Sequence, residues 1–167
     1  MSAETDSNAG KLLGNAEDHA RSFSDGDAPA APRTRVAIVT CMDARIDPAA
    51  VFGLRPGDAH VIRNAGGIVT EDVVRSLTLS QALLETREIL VVQHTQCGVN
   101  ADEDELRERV ADAVGTEPPH LGGFEDLEGS VRRSLERLRS MPELPAGENA
   151  RGFVYDVDTG ELSEVIS

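Results

Sequence analysis

Three short runs dominated by apolar residues constrain this chain more than any other feature. They are Val36-Ala37-Ile38-Val39-Thr40, His60-Val61-Ile62 and Ile89-Leu90-Val91-Val92. Each is too brief for a helix. A strand with one wet face alternates apolar and polar residues, whereas an unbroken run belongs to a strand covered on both sides. Between the second and third runs, Thr70 is placed to cap a helix that opens with Glu71 and Asp72. Val73, Val74, Leu77, Leu83 and Leu84 are expected on its inner side. Strands separated by helices predict an α/β fold with a mostly parallel sheet flanked by helices.

The rest of the chain fits around that unit. Residues 1–33 are rich in Ala, Asp, Ser and Gly, and Leu12, Leu13, Ala16, Ala20 and Phe23 form a weak helical stripe. This segment reads as a partly helical N-terminal arm that needs another surface to pack on, leaving 34–167 as a single α/β domain. Asp102 to Val114 is expected to form an acidic amphipathic helix with Leu106, Val110 and Ala113 or Val114 inward. Pro118, Pro119, Gly122 and Gly123 demand a loop. Phe124, Leu127, Val131, Leu135 and Leu138 then recur at helical spacing, with Glu128 and Arg132 placed for an i,i+4 ion pair. Gly152 to Val157, a Thr159-Gly160 turn and Leu162 to Ile166 suit a closing hairpin.

Charge narrows the partners. Sixteen Lys and Arg against 30 Asp and Glu leave a net charge of −14, which repels nucleic acid and anionic lipid. Two explanations fit that load: adaptation to concentrated salt, where the Debye length falls to about 3 Å at 1 M, or the ordinary solubility of an acidic protein. No stretch approaches the roughly 20 apolar residues of a membrane span, and the N-terminus lacks the pattern of a secretory signal. The expected location is the cytoplasm, where a thiol pair is more often a ligand set than a disulfide.

The two cysteines sit where an open parallel sheet gathers its ligands, beyond the carboxyl ends of strands. Cys41 follows the first run, and His94 and Cys97 follow the third, with only Gln93 intervening before His94. Two thiols and an imidazole make a zinc ligand set with one position open, the arrangement of a catalytic site. Such a centre has no net charge, so it acidifies water less than a three-histidine site does. If Cys41 to Arg45 leaves the sheet extended, Cys41, Asp43 and Arg45 point to one side, and Arg45 can hold Asp43 in a bidentate pair. That pair would keep Asp43 ionised to orient the hydroxide, and would stop it from closing the site as a fourth ligand. Beyond the middle run, Gly66 and Gly67 let backbone N–H groups approach a small substrate, or serve only a tight turn. A phosphate loop is absent, and a Cys-x5-Arg phosphatase motif fails because Asp47 occupies the arginine position. His19, His60 and His120 neighbour no second ligand type and read as ordinary histidines.

Together, Cys-Met-Asp-Ala-Arg at 41–45, Arg-Asn-Ala-Gly-Gly at 63–67 and His-Thr-Gln-Cys-Gly at 94–98 resemble the β-class carbonic anhydrases, especially their compact prokaryotic branch. The likeness continues through Phe124 to Glu128 and Gly152 to Asp156, and covers about Val36 to Val165. It implies a carbonate dehydratase that interconverts CO2 and bicarbonate by zinc-bound hydroxide, with one Zn2+ per chain. Cys41, His94 and Cys97 would be ligands, and Asp43 and Arg45 the catalytic dyad, with Asp43 becoming the fourth ligand in a closed form. It also implies a homodimer or higher homo-oligomer, the N-terminal arm lying across the partner. Gln96 departs from relatives that carry Asp or Gly there. The alternatives are a related zinc hydrolase acting on CS2 or COS, and a zinc-binding homologue without turnover.

Overall fold

The structure, a computed structural model, describes residues 7–166; the first six residues of the expected arm, and Ser167, lie outside them. Five strands form one sheet: β1 (Val36–Cys41), β2 (Ala59–Asn64), β3 (Glu88–His94), β4 (Arg151–Tyr155) and β5 (Leu162–Val165). Their spatial order is β2-β1-β3-β4-β5, parallel throughout except for the antiparallel β4–β5 hairpin. The helices are α1 (Asn8–Ser22), α2 (Pro48–Phe52), α3 (Glu71–Leu84), α4 (Glu103–Val114) and α5 (Leu127–Arg139). The mostly parallel α/β sheet expected from the apolar runs is therefore present.

Both faces of β1 and β3 are covered, which is why their sequences do not alternate. On one face Ala37, Val39, Ile89 and Val91 pack with Val73 and Leu77 of α3 and Val131, Leu135 and Leu138 of α5. On the other, Ile38, Val92 and Phe153 meet Phe52 and Leu54. Leu135 is 1% exposed, and burying a side chain of that size stabilises the fold by about 1.5–3 kcal/mol. Gly67, with φ +61°, sits in the turn after β2 so tightly that a Cβ would lie 2.9 Å from the Cys41 nitrogen and 3.0 Å from the Val92 oxygen. Only glycine lets this turn close over the ends of β1 and β3.

Four sequence expectations of the fold need correction. The second apolar run is an edge strand, β2, with Val61 40% exposed, and is not covered on both faces. Leu83 is 72% exposed instead of inward, because Ser80 takes the buried position on α3, bonded to His60 (2.7 Å) and Thr86 (2.6 Å). On α4 neither Ala113 nor Val114 faces inward; Leu106 is buried and Val110 half-buried, so the helix covers the body only through its first two turns. The ligand-type residues Cys41 and His94 are the last residues of β1 and β3, not residues beyond them. Helix α2 was not foreseen. Asp47 caps it by accepting from Ala49 (3.0 Å) and Ala50 (3.3 Å), and Pro48 begins it, but five residues carry no periodicity. The Thr70 cap, accepting from Val73, and the Glu128–Arg132 ion pair at 2.6 Å are as expected.

Helix α1 is present and buries none of its residues; Leu12 and Leu13 are each 68% exposed. The remaining histidines serve structure. His60 also bonds the Ala30 carbonyl (3.1 Å), His120 pairs with Glu103 (2.8 Å), and His19 meets the Phe23 ring edge-on.

Candidate metal centre

The parallel register sets Thr40 of β1 beside Val92 of β3, so the two strands end at the same edge of the sheet and deliver Cys41 and His94 to one place. A turn after β3 brings Cys97 back to them. The ligand atoms of Cys41, His94 and Cys97 all lie within 4.8 Å of one another, and all three residues are buried. The two sulfur atoms are 3.9 Å apart, and both thiols are free. Two sulfurs bound tetrahedrally at about 2.3 Å to one zinc ion would stand about 3.8 Å apart. A disulfide needs only about 2.05 Å, so the pair is spaced for a shared ion and not for a bond.

His94 is oriented from behind. Its Nδ1 lies 2.8 Å from the Thr95 carbonyl oxygen, which only an Nδ1–H can satisfy, leaving Nε2 with its lone pair forward. Nε2 is buried without a hydrogen-bond partner, an arrangement that a metal ion would relieve. Thr95 is itself fixed, its N–H donating to Tyr155 (3.0 Å) and its hydroxyl accepting from Val157 (3.1 Å). These donors fit zinc: two sulfurs, one imidazole and room for a fourth group.

The thiols are not equivalent. Contact with the Cys97 thiol, reinforced by His94 and by the N–H groups of Asp43 and Gly66, pulls the Cys41 thiol well below its ordinary value. The Cys41 sulfur, together with burial, pushes Cys97 up. A divalent cation between them removes that conflict, because both can then be thiolates.

Asp43 stands at the mouth of this group, its Oδ2 3.8 Å from His94 Nε2. Arg45 grips it with both forks, Nε to Oδ1 at 3.0 Å and Nη2 to Oδ2 at 2.8 Å, while the Arg45 backbone N–H donates to Oδ1 at 2.9 Å. The pair forms as anticipated, but by a different route. Ile46 N–H bonds the Asp43 carbonyl (3.1 Å), so the segment is a tight turn and not an extended strand exit. Hydrogen bonds from Arg45 hold the Asp43 carboxyl far below the usual carboxylate range.

Residues given no role from sequence complete the surround. Arg63 donates from Nε to the Cys41 carbonyl (2.9 Å) and from Nη2 to the Asp43 carbonyl (2.8 Å), clamping the turn that carries ligand and dyad. Asn64 spans the glycine turn, accepting from Ile68 N–H (3.1 Å) and donating to its carbonyl (2.8 Å). Gln96 contacts Arg45 and Asp158. Ile46 and Phe124, with Ile68 and Val99, make the wall around the sulfurs apolar. Gly66, φ +80°, lies against that wall, where a Cβ would meet Val99 at 2.7 Å.

Comparison with known proteins agrees with this geometry. A family model described as carbonic anhydrase matches residues 36–117. Beta-carbonic anhydrase 1 of Mycobacterium tuberculosis (strain ATCC 25618 / H37Rv) is 44% identical over 155 residues, covering 92% of this chain and 94% of that protein. A carbon disulfide hydrolase of Acidianus sp. (strain A1-3) is 34% identical, over 77% of this chain and 76% of that one. The crystal structure of carbonic anhydrase from Streptococcus mutans superposes with a TM-score of 0.89 at 39% identity, covering 96% of this chain and 98% of that chain. A buried Cys-His-Cys group at the ends of two parallel strands, within that degree of likeness, places the chain in the β-class carbonic anhydrases.

Proposed function

We propose that Cys41, His94 and Cys97 hold the zinc of this carbonic anhydrase and that Asp43 and Arg45 organise its reaction, the reversible hydration of CO2 to bicarbonate and a proton. The observation that carries this reading is the bidentate Asp43–Arg45 pair, held 3.8 Å from the orphaned His94 Nε2. When bound, zinc would supply an acidified water as the nucleophile, most fully at alkaline pH because two thiolates leave the centre without net charge. Asp43, kept ionised by Arg45, is placed at Oδ2 to accept a hydrogen bond from the nucleophile and would so orient it toward the substrate carbon. Arg45 also keeps Asp43 from swinging in as a fourth ligand. Ile46, Ile68, Val99 and Phe124 offer CO2, which has no net dipole, an apolar surface that water wets poorly. The N–H of Gly66 supports the Cys41 sulfur, and because both Gly66 and Gly67 are packed against the chain itself, their tight-turn role is favoured over direct contact with a substrate.

Stopped-flow hydration of CO2 by protein containing about one zinc per chain tests the reading, with CS2 offered in parallel. Rapid CO2 turnover at alkaline pH supports it. Turnover of CS2 alone would transfer the chain to the activity named for the Acidianus relative. Turnover of neither substrate, with zinc present, would leave a metal-binding homologue.

The working form we propose is a homodimer in the cytoplasm, with 1–33 as an arm across the partner and 34–167 as the catalytic domain. Support for the arm comes from α1, which buries nothing in its own chain, and from a cavity of about 670 Å3 whose apolar lining is Val74, Leu79 and Met141, with Arg75 and Arg137 balanced by Glu71 and Glu143. Deleting residues 1–23 should convert a sedimenting dimer to monomer. Two free, buried thiols suit a reducing compartment. The charge of −14 fits a halophilic protein, whose melting temperature should climb by several degrees between 0.1 and 2 M salt, whereas a flat response favours the solubility explanation.

A further inference from the structure

Arg45 carries the orientation of the dyad, yet its guanidinium is nearly half exposed, with a side-chain accessibility of 46%. A long side chain in that position loses rotamer entropy when held in one pose, so something besides Asp43 must hold it. Gln96 does so twice. Its side-chain Oε1 accepts from Arg45 Nη1 at 3.2 Å, and its main-chain oxygen accepts from Nη2 at 3.0 Å. Gln96 has φ +55°, a left-handed conformation uncommon for a residue with a Cβ. That conformation puts its carbonyl and its side chain on the same partner.

The far side of the amide is anchored as well. Gln96 Nε2 donates to Asp158 Oδ2 at 2.6 Å. Asp158 sits in the β4–β5 turn, where Asp156 Oδ1 accepts from the N–H groups of Asp158 (2.9 Å) and Thr159 (2.8 Å). A fixed carboxylate thus orients a neutral amide, and the amide presents its oxygen to the arginine. Because the amide has no charge, Arg45 keeps Asp43 as its only directly bound carboxylate.

We propose that Gln96 is a positioning residue for the reaction, holding Arg45 in the pose that binds Asp43, with Asp158 acting through Gln96. The kinetic consequence rests on the carbonic anhydrase reading above; the tether itself does not.

The test compares Gln96→Ala, Gln96→Gly, Asp158→Ala and the Gln96→Ala/Asp158→Ala double variant with the wild type, all zinc-loaded. Losing a hydrogen bond to a charged group is worth about ten-fold, so Gln96→Ala should lower kcat by about that factor with KM little changed. Asp158→Ala should cost about three-fold. The double variant should fall close to Gln96→Ala alone, since Asp158 reaches Arg45 by hydrogen bonds only through Gln96 and otherwise acts on it only as a more distant, solvent-screened charge. Gln96→Gly, which relieves the backbone but removes the amide, should behave as Gln96→Ala. Independently of activity, NMR should show a slowly exchanging Arg45 Nε–H in the wild type and fast exchange in both Gln96 variants. A Gly variant with wild-type kcat, a double variant about thirty-fold down, or an unchanged Arg45 resonance would each overturn the proposal. A wild type inactive toward CO2 would instead remove the kinetic reading and leave the NMR comparison to decide the tether.

Discussion

The two halves of the centre are built by different means. The ligand trio is buried and set mostly by backbone: Cys41 and His94 take their places because β1 and β3 end together, and His94 is only 0% exposed. Asp43 is half-buried while Arg45 and its rim are exposed, and all are set by side chains, through a chain of hydrogen bonds from Asp43 through Arg45 and Gln96 to Asp158. Backbone placement resists point substitution and changes only when the fold does. Side-chain placement can be undone one residue at a time, which makes the rim the adjustable part and the trio the fixed one.

That contrast can be broken from its buried side first. Cys41→Ser, Cys97→Ser or His94→Ala should lower zinc from about one per chain to near zero and cut CO2 hydration by at least about 1,000-fold, with far-ultraviolet circular dichroism unchanged. Loss of the folded spectrum instead would mean that the ion, not the strands, organises this end of the sheet. Asp43→Ala should lower the rate by about 100-fold while elemental analysis finds full zinc; zinc lost along with the rate would erase the division between trio and rim. Arg63→Ala tests the seam, because Arg63 holds the carbonyls of both Cys41 and Asp43. It should weaken zinc binding by about ten-fold in a chelator competition.

The smallest effect is on stability. The folded pKa of Asp43 is depressed by Arg45, so its contribution is complete above the ordinary value of 3.8 and is lost as pH falls through the folded value. In metal-free protein, Asp43→Asn should cost at most about 1 kcal/mol at pH 7, and its melting temperature should converge on the wild type as pH drops below that ordinary value. A gap that persists in strong acid would show that the carboxylate's charge is not what stabilises the turn.

Legibility in the sequence follows the same division. The sheet and its ligands could be read because strands covered on both faces leave unbroken apolar runs, and because Cys41, His94 and Cys97 are uncommon residue types at the ends of such runs. The Asp43–Arg45 pair was legible as a pair, although the turn that makes it was not, since the Asp43 carboxylate captures the Arg45 backbone N–H locally. Gln96 stood out as a departure from relatives and Arg63 as part of a motif, but the contacts of neither were legible, and Asp158 was silent. Gln96 and Asp158 are 62 positions apart, and neither a positive φ at a glutamine nor a tertiary hydrogen bond leaves a trace in spacing. Leu83 misled because a leucine near the end of an apolar stripe looks inward, whereas polar Ser80 holds that place once His60 and Thr86 satisfy it.

The lone antiparallel strand has a consequence that the parallel core does not share. Because β5 folds back along β4, the loop between them is held beside the metal centre, and Asp158 reaches Gln96 from it. Removing the residues after β4 would spare Cys41, His94 and Cys97 yet strip away the brace behind Arg45.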